Sequence, residues 1–404
     1  MKFSIIMISF LISILFLTHL TLPTTQVVST KKPDNNMVVA YFLGGDIYRQ
    51  RPYNVEDIYP IANKLTHLIY AFAKPYPETG TCGLQDPWVD IGVDAENYKK
   101  VSGNFAKLLE LKKKFPHLKI LLSIGGGVDS KHISSIVQKG YAHRFVASCI
   151  SLLDKYDYDL KGQGRVITFQ YKGLFDGIDL DWEWVNNNVP ENEAKAYVDM
   201  ILLCKKMLQE REKRMKSKQI LTSALQVNAS IYKKIDLKKI VSSVDWFNVM
   251  TYDFFGPWNS GIGFNAPIYH ESSIYSIDNS IQKILSYGVP SKKLVLGIPL
   301  YGYAFDQTKG KLGSTFKKTN LTRSLSYATI KKKYLTNPSC DYTWHDLFHV
   351  PSLYCSADKI FISFEDEKSV KAKVKYARQN RLGGVMFWRL ATDDDDHSLV
   401  NALE

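Results

Sequence analysis

Cysteine is scarce in this sequence. Five cysteines occur in 404 residues, and none belongs to a C-x-x-C pair. This scarcity excludes a disulfide-dense scaffold and the common zinc patterns. Cys340 and Cys355 lie close together in a loop-rich region, so we expect them to pair in an oxidising compartment. Cys149 and Cys204 lie in apolar helical patterns and are expected to be buried thiols, while the status of Cys82 is open.

A second long apolar run is also missing. The one such run, residues 3–22, follows Lys2 and ends in the polar stretch 24–26. This pattern predicts a secretory signal peptide over residues 1–26, and hence a secreted, extracellular protein without membrane contact after cleavage. Because the run is nearly long enough to span a bilayer, an uncleaved anchor is the alternative.

Acidic residues are too few to balance the basic ones, and the formal net charge is +12 at pH 7. The lysines cluster in helix-like groups at 112–114, 205–206 and 331–333 without interleaved aromatic residues. We therefore expect solvated helix surfaces and no nucleic-acid groove. No G-x-S-x-G motif supplies a serine nucleophile. Aromatic residues, in contrast, are abundant at 13%, within a composition that is 45% hydrophobic and sufficient for a globular core.

The most informative stretch is the acidic one at residues 175–184. Asp179, Asp181 and Glu183 alternate there with apolar residues, which is the period of a β-strand with its carboxyls on one face. A core strand would not bury three unpaired charges, so this face is expected to open onto a cleft. Neighbouring carboxyls there must share protons, which raises the pKa of one of them. A calcium loop is disfavoured because no glycine follows Asp181.

Short apolar runs alternate with helical patterns along the rest of the chain. Besides the acidic strand, the predicted strands cover residues 38–42, 67–73, 118–124, 220–226, 244–251, 294–299 and 384–388. The predicted helices cover residues 54–63, 96–115, 142–156, 191–216, 277–287 and 369–378. Eight such units predict an α/β protein with a (β/α)8 TIM barrel over residues 36–304 and 366–404. Residues 305–365 do not follow this alternation of strands and helices, and they are expected to form a small α+β insertion domain after strand seven.

The motif D-G-I-D-L-D-W-E at residues 176–183 resembles the catalytic signature of family 18 glycoside hydrolases, the chitinases and their relatives. Four further segments are similar to family motifs in the same chain order. They are the S-x-G-G of residues 123–126, the M-x-Y-D of residues 250–253, and the strand-seven and strand-eight motifs at residues 297–302 and 383–388. The insertion is similar to one that deepens the cleft in a branch of the family. The Lys-, Asn- and Tyr-rich composition is similar to that of short chitinases from protist parasites.

The resemblance implies a retaining, endo-acting chitinase in which the substrate's own acetamido oxygen attacks and forms an oxazolinium ion. Glu183 would be the acid, and Asp181 would hold the acetamido N–H. Asp179 would share a proton with Asp181, and Tyr252 would bind the attacking acetamido oxygen. Asp176, off the inward alternation, is expected to support the strand below the site, with a turn or cap role as the alternative.

Substrate binding is implied for residues around the barrel mouth. They are Tyr41, Phe72, Ser123, Gly126, Met250, Asp253, Tyr301 and Trp388. The expected partner is chitin or its oligosaccharides, and the protein is expected to be a monomer. No metal and no organic cofactor is implied. The acidic run at residues 393–396 is expected to be a solvated loop or helix cap, with a metal role as the alternative.

Two positions depart from the family pattern. Gly127 stands where S-x-G-G is often followed by Trp, and Tyr303 stands where Arg is common after strand seven. Both leave the catalytic set intact but put the preference for chain length in doubt. Two other functions compete with the chitinase: a non-catalytic lectin, which typically lacks the acid at Glu183, and an endo-β-N-acetylglucosaminidase, which tends to lack the insertion.

Overall fold

Eight parallel strands close into a barrel in the computed structural model, which describes residues 36–93, 101–160, 165–184, 189–270 and 275–403. The strands of the chain are β1 (Met37–Leu43), β2 (His67–Tyr76), β3 (Thr81–Leu84), β4 (Lys119–Gly125), β5 (Lys155–Leu160), β6 (Arg165–Gln170), β7 (Gly177–Asp181), β8 (Ile220–Gln226), β9 (Trp246–Met250), β10 (Leu294–Pro299), β11 (Tyr301–Phe305), β12 (Arg323–Ser326), β13 (Cys340–His345), β14 (Val350–Cys355), β15 (Ile360–Ser363) and β16 (Gly384–Trp388). The barrel order is β1-β16-β10-β9-β8-β7-β4-β2, and the pairing of β1 with β2 closes the ring. The predicted (β/α)8 fold is confirmed.

The barrel strands bury both of their faces. Val39 and Tyr41 of β1 belong to an inner apolar cluster, whereas Ala40 and Phe42 belong to an outer one that faces the helices. The same alternation in the other strands explains why each predicted strand was a nearly continuous apolar run. The C-terminal ends of all eight strands therefore meet at one mouth, where the acids of β7 emerge.

Helices connect the strands and cover the outer cluster. They are α1 (Pro87–Ile91), α2 (Gly103–Lys114), α3 (Ser130–Gln138), α4 (Ala142–Ser151), α5 (Glu191–Met215), α6 (Leu237–Ile240), α7 (Ile277–Ser286), α8 (Tyr327–Thr329), α9 (Glu367–Gln379) and α10 (Ser398–Asn401). The predicted helix at 54–63 was wrong, because only the turn Val55–Ile58 is helical, and it is a 3-10 helix. Part of the predicted helix at 96–115 lies outside the described residues.

The predicted helix at 142–156 was too long. It ends at Ser151, and its last residues enter β5, which pairs with β6 in an antiparallel hairpin that the sequence analysis missed. Tyr156 and Tyr158 alternate with polar neighbours and pack against the outer cluster. This period of two identifies a half-buried strand, although its polar face resembles a loop.

A second sheet follows β10, with the antiparallel order β12-β11-β15-β14-β13. It begins at Tyr301, earlier than the predicted insertion boundary at Phe305, because β11 pairs with β15 and β12 rather than with the barrel. The predicted disulfide between Cys340 and Cys355 is present and joins β13 to β14. Both sheets lie within one compact unit, residues 35–404.

The other cysteines, Cys82, Cys149 and Cys204, are free and buried. The predicted signal peptide lies outside the described residues. Within the described ranges, no helix has the length and apolarity needed to cross a membrane.

The acidic run at residues 393–396 is not a solvated loop throughout. Asp393 and Asp394 are buried and accept hydrogen bonds at the start of α10: Asp393 from the backbone N–H of Val400 at 3.0 Å, and Asp394 from that of Ser398 at 2.7 Å. The helix-cap expectation was therefore the correct one.

Candidate active site

The site lies at the C-terminal end of β7. Asp179 and Asp181 point into the barrel, while Leu180 and Trp182 pack in the outer cluster. Glu183 follows after the strand has ended and is only partly buried at the barrel mouth, so the predicted strand was slightly too long. The expectation that the three carboxyls share one face agrees with this arrangement.

Asp179 is fully buried and surrounded by hydrogen-bond donors. Its carboxylate accepts from Tyr41 Oη at 2.8 Å, Ser123 Oγ at 2.8 Å, Thr222 Oγ1 at 2.6 Å and Asn248 Nδ2 at 3.2 Å. Burial raises the pKa of Asp179, and these donors oppose the rise. Tyr41 and Ser123 were expected to bind substrate, but both are buried, and their hydroxyls contact Asp179 because they lie beside it inside the barrel. Thr222 and Asn248 were missed, although each is a polar residue at an inward position of a predicted apolar strand.

Asp181 has a contrasting environment. It is buried, and its Oδ1 atom has no hydrogen-bond partner among the described residues. Its pKa is raised well above the usual range by burial, and also by the charges of Glu183 and Asp179. Because donors already saturate Asp179, the electrostatics favour a proton on Asp181 when the two groups share one.

Glu183 has a pKa raised to about 7, first by burial and then by the charge of Asp253. Its backbone N–H donates to Ser130 Oγ at 2.8 Å, which fixes the chain just beyond β7. A side chain at residue 127 would begin 3.3 Å from Glu183 Oε1, so Gly127 leaves the space beside this carboxyl open. A carboxyl that is half protonated near neutral pH can act as a general acid and then as a general base.

Asp253 is open to solvent in the cleft, and its carboxylate accepts hydrogen bonds from the hydroxyls of Tyr301 and Tyr303, the latter at 2.9 Å. Although Asp253 is exposed, the protein atoms around its carboxyl exclude part of the surrounding water and raise its pKa, and these two hydroxyls oppose the rise. Its backbone has a positive φ of 61°, and its N–H donates to Asn265 Oδ1 at 2.8 Å. Tyr303 thus gives Asp253 a neutral donor at the position where the family resemblance led us to expect an arginine.

Aromatic rings lie next to the acids at the barrel mouth. The ring centroids of Trp388 lie 5.1 Å from those of Tyr41 and 6.1 Å from those of Phe72. Gly126 has a φ of +82°, and a Cβ atom there would lie 2.7 Å from the Phe72 ring, so glycine is required at this position. The structure therefore brings these predicted binding residues together around the acids.

A cavity of about 690 Å³ opens beside Glu183. Met250, Tyr252 and Asp253 line its inner end, as expected for the M-x-Y-D segment. Trp258, 55% exposed, also lines the cavity and was missed by the sequence analysis. Its position a few residues after M-x-Y-D and its exposed ring make Trp258 a candidate stacking surface for a ligand in this cavity.

Asp176 lies at the other end of β7 from the cleft. Its carboxylate accepts from Lys112 Nζ at 2.6 Å and from the backbone N–H of Ile120 at 2.8 Å. These contacts join α2 and β4 to β7 below the site. Among the described residues, no group of three or more His, Cys, Asp or Glu side chains is arranged to hold a metal ion.

Known proteins share the sequence pattern and the fold of this chain. The sequence profile of glycosyl hydrolases family 18 matches residues 37–393. The chain belongs to family 18. Family members with similar sequences include chitinase A1 of Niallia circulans, at 29% identity over 94% of this chain and 59% of that protein, and probable chitinase 2 of Drosophila melanogaster, at 30% identity over 89% and 72%. The structure of chitinase ChiA74 from Bacillus thuringiensis is similar, with a TM-score of 0.78 and 26% identity over 92% of this chain and 69% of that one.

Proposed function

We propose that this protein is a retaining, endo-acting chitinase that hydrolyses β-1,4 links between N-acetylglucosamine units. The observation that carries the proposal is the row of carboxyls from Asp179 to Glu183. It ends in a group with a pKa of about 7 that faces an open cavity. A glycosidic bond needs an acid for the leaving oxygen and a nucleophile for the anomeric carbon. This row supplies the acid, and the substrate's acetamido oxygen supplies the nucleophile.

In the first step, Glu183 donates its proton to the glycosidic oxygen, and the bond from that oxygen to C1 breaks. The acetamido oxygen of the same sugar forms a bond to C1, which gives an oxazolinium ion. Protonated Asp181 turns toward the acetamido N–H and holds the group in place. The hydrogen-bond donors around Asp179 stabilise the negative charge of Asp179. Tyr252 donates to the acetamido oxygen.

In the second step, water attacks C1 from the side that the leaving sugar has vacated, and the bond from C1 to the acetamido oxygen breaks. Glu183 takes a proton from the attacking water. Two displacements at C1 retain the configuration. The ring of Trp388 forms the floor of this sugar site, with Phe72, Tyr41 and Tyr301 around it, and Met250 and Asp253 form its wall. Correct orientation of the acetamido group contributes several orders of magnitude in rate.

The open cavity beyond Glu183 supports endo action because it gives the chain on the leaving-group side room to continue past the cleaved bond. We further propose that residues 1–26 direct export of the protein, that it acts as an extracellular monomer, and that it binds neither nucleic acid nor membranes after cleavage. Export is compatible with the Cys340–Cys355 disulfide, which forms in oxidising compartments.

The decisive experiment measures turnover of a fluorogenic chitotriose by the wild-type protein and by Glu183→Gln. We expect Glu183→Gln to lower turnover by about a thousandfold, because an amide cannot donate the proton, while oligosaccharide binding survives. Binding without turnover in both proteins would favour a lectin. Release of glycans from a glycoprotein, without action on chitotriose, would favour an endo-β-N-acetylglucosaminidase.

A further inference from the structure

The outer end of the active-site cavity is formed by two packed elements. One is the 3-10 helix Ala229–Lys233, which follows β8, and the other is α7. Lys233 and Lys283, one from each element, line the cavity together with Glu183, and both are exposed. Neither has an ion-pair partner among the described residues, and Lys283 Nζ lies 5.5 Å from the centroid of the Tyr287 ring.

The charges in this cavity are separated along its length. Its acidic lining residues, within the described part of the chain, are Glu183 and Asp253, and both lie at the inner end where the bond is cleaved. The two lysines are at the outer end. Lys234, next to Lys233, does not line this cavity, and its Nζ donates to the backbone oxygen of Val189 at 2.8 Å.

Fully acetylated chitin is neutral and passes such lysines without an electrostatic cost. A glucosamine unit that has lost its acetyl group carries an ammonium group, which the lysines repel. Repulsion of this kind gives specificity by weakening the wrong ligand rather than by strengthening the right one. We propose that Lys233 and Lys283 exclude deacetylated units from the leaving-group side of the cleft, beyond the first sugar. Cleavage is thereby directed to stretches acetylated on both sides of the broken bond.

This inference rests on the proposed chitinase function and extends it. Catalysis through the acetamido oxygen already requires an acetyl group on the sugar whose bond to the leaving oxygen breaks. It places no such requirement on the leaving sugars. The lysines therefore supply a selection that the chemistry lacks, and the two selections act on opposite ends of the products.

The test hydrolyses a partially deacetylated chitin and sequences both new ends of the products by mass spectrometry. The wild-type protein is compared with the double variant Lys233→Gln/Lys283→Gln and with Lys238→Gln, a matched control on α6 that does not line the cavity. We expect the double variant to raise the share of glucosamine near the new non-reducing ends about fivefold, the effect of one like-charge contact in water. Lys238→Gln should match the wild type, and high salt should reduce the difference.

All three proteins should hydrolyse fully acetylated chitohexaose at similar rates. If the wild type accepts glucosamine on the leaving side as often as the double variant does, the inference is overturned. It is also overturned if the double variant loses turnover of fully acetylated chitohexaose, because the lysines would then bind neutral sugar. New reducing ends that carry free amines, or no cleavage at all, would instead contradict the proposed function.

Discussion

The two ends of β7 treat their carboxylates in opposite ways. At one end, Asp176 is bound by Lys112 Nζ at 2.6 Å, and Lys119 Nζ lies 3.8 Å away. At the other end, about 16 Å along the chain, Asp181 and Glu183 have no cation within ion-pair distance among the described residues. Polar hydroxyls and an amide surround Asp179 in place of positive charge.

This difference teaches how one strand can serve both stability and chemistry. A cation fixes a carboxylate in its ionised form and makes it a structural link. Without a cation, burial and like charges keep a proton on the carboxyl near neutral pH, which is what a glycosidase acid requires. The barrel therefore has its ion pair at the closed end of β7 and its titrating groups at the open end.

The largest expected difference between the two ends comes from replacing an aspartate by asparagine at each of them. Asp181→Asn should lower turnover of chitotriose by about a thousandfold, because an amide can neither share the proton with Asp179 nor polarise the acetamido group. Asp176→Asn should leave turnover of the folded protein nearly unchanged. Steady-state kinetics on the two variants check this, and equal losses would show that the ends are not functionally distinct.

The second prediction concerns stability at the closed end. Asp176→Asn should lower the free energy of unfolding by about 2 kcal/mol, because the half-buried Lys112 loses its charged acceptor. Urea unfolding followed by circular dichroism measures the change. Lys113→Met on the same helix is the matched control, since Lys113 and its partner Glu110 are both exposed. An equal loss in the control would contradict the importance of the Asp176 contact.

The third prediction is that a substitution at the open end of β7 stabilises the protein. The pKa of Glu183 is about 7 in the folded protein and about 4.3 in an unfolded chain, so its ionisation destabilises the fold as pH rises between these values. Glu183→Gln removes this cost. The increase in melting temperature that this substitution causes should be about 2 °C larger at pH 8 than at pH 5. Thermal scans at the two pH values check this prediction. A variant that is stabilised equally or less at pH 8 would contradict the raised pKa of Glu183.

Much of the architecture could be predicted because barrel strands bury both faces and read as continuous apolar runs. The three site acids could be predicted because they lie in one short segment. The hairpin of β5 and β6 was not predicted because its strands are only half buried and their exposed residues are polar. The start of the second sheet at Tyr301 was not predicted because β11 follows β10 after the single residue Leu300, with no turn signal between them.

The missed site residues share a different cause. Thr222 and Asn248 act through contacts between strands that are distant in sequence, so their hydrogen bonds to Asp179 emerge only when the barrel closes. Trp258 lies in a loop whose path the sequence pattern does not specify. Tyr303 was noted as a departure from the family pattern, but its hydrogen bond to Asp253 was not foreseen.

The pH dependence of kcat/KM on a chitooligosaccharide tests the central claim most directly. The claim is that Glu183 stays protonated near neutrality because no cation of the described residues lies within ion-pair distance of its carboxyl. We predict an alkaline limb with an apparent pKa of about 7 in the wild-type protein. Tyr303→Arg, which places a cation beside Asp253, should move this limb down by about half a pH unit, while Tyr303→Phe should move it less. An alkaline limb near 4.5, or activity that persists undiminished to pH 9, would contradict the account.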